Sequence, residues 1–387
     1  MSPSPDTFRR CHLLPPELAV MPINLRLMEL VGLWGPPDQF WRFLTAFGWG
    51  TAVILFPKAV LGMGSRDFDK VAKGVAEFIF EFTIFVSLVI FVANRGKFER
   101  AIDGLREIFH RVAIRNRCTD CYDFICEQNL KIEKFVKFYI VYCMFGPFVF
   151  CVPPVTSSYV QYFSSRKNNS EPLSFELPME QEFYGLQIRS NFVHYHAFVA
   201  LSVSAYCVCS YFLIIKACTM FLMIRYSALT SAVEVSDLAE VVELHRLAYN
   251  VTSLVESICH LPLAIQFLTC VLFWCLTMVY VSTNIDYSLF NVMVLFWLSL
   301  IETFGYSYLG SQLMEEANGV SKAIYDLPWY EHSVELQRYY RLMLQRVQRP
   351  TRITGMRFFA VELGTFGSVV NSSYSYYLVL KDALKKL

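Results

Sequence analysis

The sequence predicts an all-α membrane protein of seven transmembrane helices, with the N-terminus in the cytosol and the C-terminus outside. Three observations lead there. Seven apolar spans run through the chain: Phe40–Met63, Val75–Ala93, Phe135–Val152, Phe192–Cys218, Leu261–Val281, Leu289–Leu309 and Phe358–Leu380. Each is long enough to cross ~30 Å of hydrocarbon at ~1.5 Å per residue. A 387-residue chain that is 55% hydrophobic and 17% charged also falls outside the range of ordinary soluble domains. The third observation is the sidedness of the basic residues. Segments 1–39, 94–134, 219–260 and 310–357 hold 21 Lys and Arg, whereas 64–74, 153–191, 282–288 and 381–387 hold 9. Short cytoplasmic loops collect Lys and Arg, so the first set lies inside.

The spans must be helices, because backbone groups in lipid have to bond within their own segment. Ahead of the first span the apolar run is broken by Pro15, Pro16 and Pro22, so that span is expected to be the insertion signal itself. The second span carries Glu77 and Glu81, four residues apart on one face, either as acids packing helix against helix or as a polar point in a pocket. Lys58 and Lys216 stand near span ends and are expected to snorkel outward. Glu302 in the sixth span and Glu362 early in the seventh are expected toward the cytosolic half, bordering an aqueous vestibule. His194 and His196 open the fourth span, where headgroup or loop hydrogen bonds suit them. The connection 153–191 is the long outer loop, and Asn168 within it begins an Asn-Asn-Ser glycosylation sequon. Sequons at Asn250 and Asn371 fall in a cytosolic loop and a span, where glycosylation is not expected.

Enzyme chemistry is sparse. The chain has no GxSxG, HExxH or phosphate-cradling glycine run. Cys118 and Cys121 form a single CxxC with no second pair to complete a zinc site, so no metal and no cofactor are expected. The twelve cysteines fall in spans or cytosolic segments and read as free thiols. Basic residues from Arg95 to Arg117 read as a solvated helix face near anionic lipid rather than as a nucleic-acid site.

What the spans do carry is aromatic surface. Phe78 and Phe82, then Tyr142, Phe145, Gly146, Phe148, Val149 and Phe150, then Tyr195, Phe198, Val199 and Ser202, then Asn291, Val294, Phe296 and Trp297 all fall in the outer halves of four spans. A cleft lined by rings with a few polar groups suits a small, mostly apolar molecule, although the same stripe serves equally as core.

The last eighty residues add a resemblance. Tyr308-Leu309-Gly310-Ser311-Gln312-Leu313-Met314 leads to Val320–Tyr325 and then Trp329-Tyr330. A basic helix follows with Arg338, Arg341, Arg346 and Arg349 ahead of Pro350, and the seventh span carries Phe366 and Ser373-Tyr374-Ser375-Tyr376-Tyr377-Leu378. This order resembles the insect odorant receptor family, with His245, Leu254 and Glu256 as a further point of similarity. The resemblance implies an odorant-gated, nonselective cation channel in the plasma membrane of an olfactory neuron dendrite. In it a variable ligand-binding subunit assembles with an insect odorant co-receptor subunit, four per channel. Because 219–260 is only 42 residues and lacks the co-receptor's long insertion, the chain resembles the variable subunit.

Carried over, the resemblance divides the chain into a segment 1–309 with the cytosolic N-terminal segment, six spans and an odorant pocket, a cytosolic anchor at 310–357, and a pore-lining helix at 358–387. It implies a hydrophobic gate at Val379, with Ser375 nearby and Asp382 at the mouth. It also places Cys143, Gly146, Phe150, Tyr195, Phe198 and Ser202, with Glu81, in a pocket for a small volatile, aromatic or heterocyclic ligand. Ligand binding would shift the gate by a coupling of ~1–3 kcal/mol. Two rivals read the same spans differently. A G-protein-coupled receptor requires the opposite orientation and a DRY-like or NPxxY motif, neither of which is present. A transporter or membrane enzyme requires ionisable groups converging at mid-membrane, for which Glu81 and Glu302 are a thin beginning.

Overall fold

The computed structural model describes residues 20–61, 68–115, 120–168, 192–218, 220, 238–284, 288–326, 329–348 and 352–384. Pro15, Pro16, Cys118, Arg349, Pro350 and the Asn169-Ser170 part of the sequon lie outside them, as does most of the outer connection. The side chains of Asn168 and His245 are likewise not described.

A short helix α1 (Pro22–Leu30) precedes the first span, which is assembled from α2 (Phe40–Gly50), a π-helical turn (Thr51–Leu55) and α3 (Phe56–Leu61). Then come α4 (Phe68–Ala93), α5 (Arg95–Arg115), α6 (Asp120–Asn168), α7 (Phe192–Lys216), α8 (Leu238–Thr283) and α9 (Ser288–Tyr325). Helix α10 (Val334–Val347), a two-stranded ladder (β1, Thr354–Gly355; β2, Phe359–Ala360) and α11 (Leu363–Leu384) complete the chain. The fold is all-α apart from that ladder. Among the described residues, five helical stretches are long and apolar enough to cross a membrane: Val71–Ala93, Leu130–Ser164, Phe192–Lys216, Arg246–Thr283 and Leu289–Gly319. The first span falls short of that measure because it is built in three pieces. The seventh is diluted by its Ser and Tyr residues.

The core is aromatic where the first, second and fourth spans meet. Phe85 stacks edge-on to Phe47 and Phe212 with centroids 5.1 and 5.7 Å apart. Gly50 makes this possible, since a Cβ there would sit 2.8 Å from the Phe85 ring. Such close approach through small residues is how membrane helices gain packing without a hydrophobic drive between them.

Helix α5 buries Phe98, Ala101, Ile102, Leu105, Ile108 and Phe109. That spacing gives one apolar stripe, laid on α8 where Gly104 lets Val251 approach. The basic residues of this region are therefore the outer face of a docked helix. Arg95 bonds the Gly35 carbonyl at 2.9 Å and Glu99 at 2.9 Å, while Arg100 is exposed.

The structure moves two span boundaries. The third span, expected at 135–152, lies within a helix running from Asp120 to Asn168, so the expected outer loop begins as helix despite Pro153 and Pro154. Proline is tolerated in a membrane helix where neighbouring groups satisfy the backbone it frees. The seventh span, expected from Phe358, begins at Leu363, because residues 354–360 form the ladder instead. Its turn places Met356 and Arg357 at φ 48° and 64°, both left-handed, and Phe358 N bonds Gly355 O at 2.9 Å.

That ladder fixes the seventh helix to the bundle. Met356 N donates to His260 O at 3.1 Å and Thr354 Oγ1 to Glu256 Oε1 at 3.0 Å, both on α8. Gly310 on α9 lies so close to Val361 that a Cβ would come within 1.9 Å of its carbonyl oxygen. At the next residue Ser311 Oγ accepts from Leu363 N at 3.0 Å, capping the first residue of α11. Several residues that carry the family resemblance (Glu256, Gly310, Ser311) are thus the joint on which α11 is hung.

Candidate functional site: an aromatic cleft beside a buried ion cluster

Four helices enclose a cleft. Phe80, Glu81 and Ile84 come from α4, and Gly146, Pro147 and Phe150 from α6. Tyr206, Cys209, Ser210 and Leu213 come from α7, and Leu295 and Leu298 from α9. About 390 Å³ of unfilled space lies within this ring, part of it open to the outside, but only about 30 Å³ is reachable by a water-sized guest. The cleft is nearly filled by its own side chains, and a larger guest enters by displacing them. Phe150 and Tyr206 form one wall, stacked at 5.4 Å and 28°. Gly146 contributes a missing side chain, and a Cβ there would make only ordinary contact with Ser210 Oγ at 3.8 Å. Pro147 lacks the N–H that would bond the Cys143 carbonyl, so the α6 wall is locally free of the regular ladder.

One side of the cleft is polar. Lys58 Nζ on α3 lies 3.1 Å from Glu77 Oε2 and 3.4 Å from Glu81 Oε1 on α4, and 5.7 Å from the Tyr206 ring centre. The Lys58 and Glu81 side chains are 10% and 4% exposed. Lys58 therefore does not snorkel. Reaching water would leave two carboxylates unpaired in hydrocarbon, which costs more than desolvating the ammonium against both.

A second ion pair lies deeper. Lys216 Nζ is 3.0 Å from Glu302 Oε1 and donates to Gln266 Oε1 at 2.6 Å. Both side chains are almost fully buried, at 5% and 1%, so Lys216 does not snorkel and Glu302 borders no vestibule. The network continues through Gln266 Nε2 to Thr303 Oγ1 at 3.2 Å, and Trp274 Nε1 donates to Ser299 Oγ at 3.1 Å. Phe80 lines both the cleft and the small cavity above this network, and packs on Phe273 at 5.7 Å. Trp274 and Phe304 in turn meet Phe366 of α11 at 6.0 and 5.5 Å. A continuous set of contacts thus runs from the cleft to the seventh helix.

Of the residues singled out in the sequence, Glu81, Gly146 and Phe150 line this cleft. Tyr195, Phe198, Ser202 and Cys143 are buried in the surrounding helices, and Val199 is half-buried. Ser202 Oγ donates to Phe198 O at 2.9 Å within its own helix. Phe78 and Phe82 stack on each other at 5.6 Å on the outer face of α4, with Phe82 41% exposed. Trp297 is 51% exposed, and Tyr142 stacks on the exposed Phe138. Asn291 is half-buried with its Oδ1 unbonded among the described residues. His196 bonds not to a headgroup but to the Tyr159 hydroxyl on α6. The sequence reading missed Phe80, Ile84, Pro147, Tyr206, Cys209, Ser210, Leu213, Leu295 and Leu298. It also missed Lys58 as the ion partner. The signal for Lys58 was present: a lysine and two glutamates in adjacent apolar spans are affordable only as a cluster.

On α11, Tyr374, Tyr376, Leu378 and Val379 are exposed, Val379 at 66%, and Ser375 and Asp382 are exposed with them. The hydroxyls of Ser373 and Ser375 donate to Val369 O and Asn371 O of their own helix. Lys381 Nζ donates to the hydroxyl of Tyr377, one turn earlier, at 3.0 Å, two residues past Val379 and beside Asp382.

Known proteins share both the sequence pattern and the fold. The olfactory receptor OR5 from Machilis hrabei, solved with eugenol, superposes with a TM-score of 0.70 over 90% of each chain at 16% identity. The odorant receptor coreceptor of Aedes aegypti is 32% identical over 104 residues, which is 26% of this chain and 22% of the relative, so only about a fifth of the coreceptor's length is matched. Odorant receptor 2a of Drosophila melanogaster is 26% identical over 139 residues, 35% of each chain, and odorant receptor 10 of Aedes albopictus is 25% identical over 133 residues, 34% of each. The 7tm odorant receptor family model matches residues 67–374, from the start of α4 to the middle of α11, so the chain belongs to the 7tm odorant receptor family.

Proposed function

We propose that this chain is the variable, odorant-binding subunit of an odorant-gated nonselective cation channel, and that the cleft between α4, α6, α7 and α9 is its ligand site. The observation that carries this is the cleft itself, a nearly filled, largely apolar space with aromatic walls, whose one charged edge is a buried ion cluster. It suits a small volatile, aromatic or heterocyclic molecule held by shape and dispersion. On this reading Tyr195, Phe198, Val199 and Ser202, with Cys143, support its walls from within α7 and α6, whereas Phe78, Phe82, Tyr142, Asn291 and Trp297 do not line it. In a membrane of this family's proposed orientation, with a cytosolic N-terminus, the cleft lies in the outer half.

Ligand binds the expanded cleft more tightly than the filled one, and that difference is what moves the equilibrium. Displaced Phe80 pushes on Phe273, and the shift reaches Phe366 through Trp274. Helix α11 then swings, and a ring of Val379 side chains hydrates. Tyr374, Tyr376, Leu378 and Val379, exposed on more than one side of α11, are the surface it turns to its neighbours, in a tetramer with the insect odorant co-receptor at the plasma membrane. Residues 310–357 anchor the subunits on the cytosolic side.

The test is whole-cell current in cells expressing this chain with and without the co-receptor, under a panel of aromatic and heterocyclic volatiles. Rapid cation current only with both subunits supports the reading. Surface-assembled complexes that stay silent across the panel contradict it. Current that needs G-protein signalling would favour the rival receptor class.

A further inference from the structure

The cleft's one strongly polar group has incomplete hydrogen bonding. Glu81 is 3% exposed and lines the cleft. Its Oε1 accepts from Lys58 Nζ at 3.4 Å. Its Oε2 is buried with no N–H or O–H donor on it among the described residues, and the Cys209 thiol offers this carboxylate only a weak S–H bond. A buried carboxylate oxygen left in this state is costly, and a guest that brings an O–H or N–H recovers the cost. The charges around it are balanced. Lys58 is shared with Glu77 at 3.1 Å, and the buried Lys73 acts on Glu77 from the other side, giving two ammonium groups for two carboxylates. Nothing in that balance draws in a cation. Of the remaining lining, Phe80, Ile84, Phe150, Leu213, Leu295 and Leu298 are apolar, while Tyr206 and Ser210 add neutral hydroxyls.

We propose that Glu81 Oε2 accepts a hydrogen bond from the odorant, so that the ligands of this receptor are small neutral molecules carrying one hydroxyl or N–H donor on an apolar or aromatic body. This rests on the cleft being the odorant site. It makes Glu81 the residue that separates a phenol or alcohol from its methyl ether, because a site built around a buried acceptor rejects the analogue that lacks the donor.

The experiment records current from this chain with the co-receptor, using matched pairs: substituted phenols and their methyl ethers, and primary alcohols and theirs. In the wild type the donor-bearing member activates at a concentration at least about tenfold lower, as one hydrogen bond to a charged acceptor allows. Glu81→Gln keeps a carbonyl for Lys58 to hold and turns its NH2, a donor, toward the guest, which collapses or reverses that ratio. Glu77→Gln removes Lys58's nearer partner but does not line the cleft, and keeps the ratio. A wild type that answers both members equally overturns the proposal, as does a ratio that the two substitutions change alike. Gly146→Trp separates the layers. If it silences both members while the wild type never distinguished them, the ligand class is wrong and the cleft stands. If it silences neither, the cleft reading falls and the proposal with it.

Discussion

Lys58, Glu77 and Glu81 show what a single residue costs in this protein. Removing one partner from a buried ion cluster leaves uncompensated charge and typically costs about 3–5 kcal/mol. Lys58→Met is therefore expected to reduce folded protein at the cell surface sharply, measured by surface labelling and detergent thermal melts. Adding Glu81→Gln and Glu77→Gln to it should recover most of the loss. Unchanged melting in Lys58→Met would mean the pairing at 3.1 and 3.4 Å contributes nothing. Gly310 is the second such residue. A Cβ placed 1.9 Å from the Val361 carbonyl oxygen cannot be accommodated without parting α9 from the α11 junction. Gly310→Ala is expected to lower current amplitude several-fold at equal surface density, and wild-type currents would contradict the joint described here. The acids and Gly310 were legible in the sequence. Their partners were not, because pairing depends on which helices adjoin, and one sequence carries no direct record of that.

At the level of elements, the seven spans were legible from apolar runs, while their edges were not. Hydropathy marks where lipid ends and says nothing of where a helix ends, so α6 extends past Pro153 and Pro154 to Asn168 and α8 continues to Leu238 on its polar side. The ladder before α11 escaped notice because its residues, Thr354 to Ala360, are as apolar as the span they precede. That ladder and Phe366 define how α11 is held. With Phe366 reduced to alanine, the contacts to Trp274 and Phe304 are lost, and the transmission from cleft to gate weakens. Phe366→Ala is expected to raise the ligand concentration for half-maximal current about tenfold with surface expression near normal. A displaced expression level with unchanged ligand sensitivity would assign Phe366 to packing alone. The pocket was half legible for a related reason. Aromatic composition pointed to the four helices that enclose the cleft, yet periodicity could not choose between the face bearing Phe80, Glu81 and Ile84 and the one bearing Phe78 and Phe82.

For the whole molecule, the bias of Lys and Arg, 21 against 9, predicts an orientation that the fold alone leaves open. An epitope at the C-terminus should be stained on intact cells and one at the N-terminus only after permeabilisation, and the reverse pattern would invert every inner and outer assignment made above. The exposed tyrosines and Val379 of α11 are surface that the proposed tetramer would bury. The claim on which all of this depends is that filling the cleft moves the gate. Its most direct measurement is the concentration–response of current for Gly146→Trp against wild type, each co-expressed with the co-receptor and matched for surface density. An indole placed where Gly146 now leaves space should abolish or greatly weaken the ligand response, or hold the channel partly open without ligand. A response indistinguishable from wild type would contradict the account.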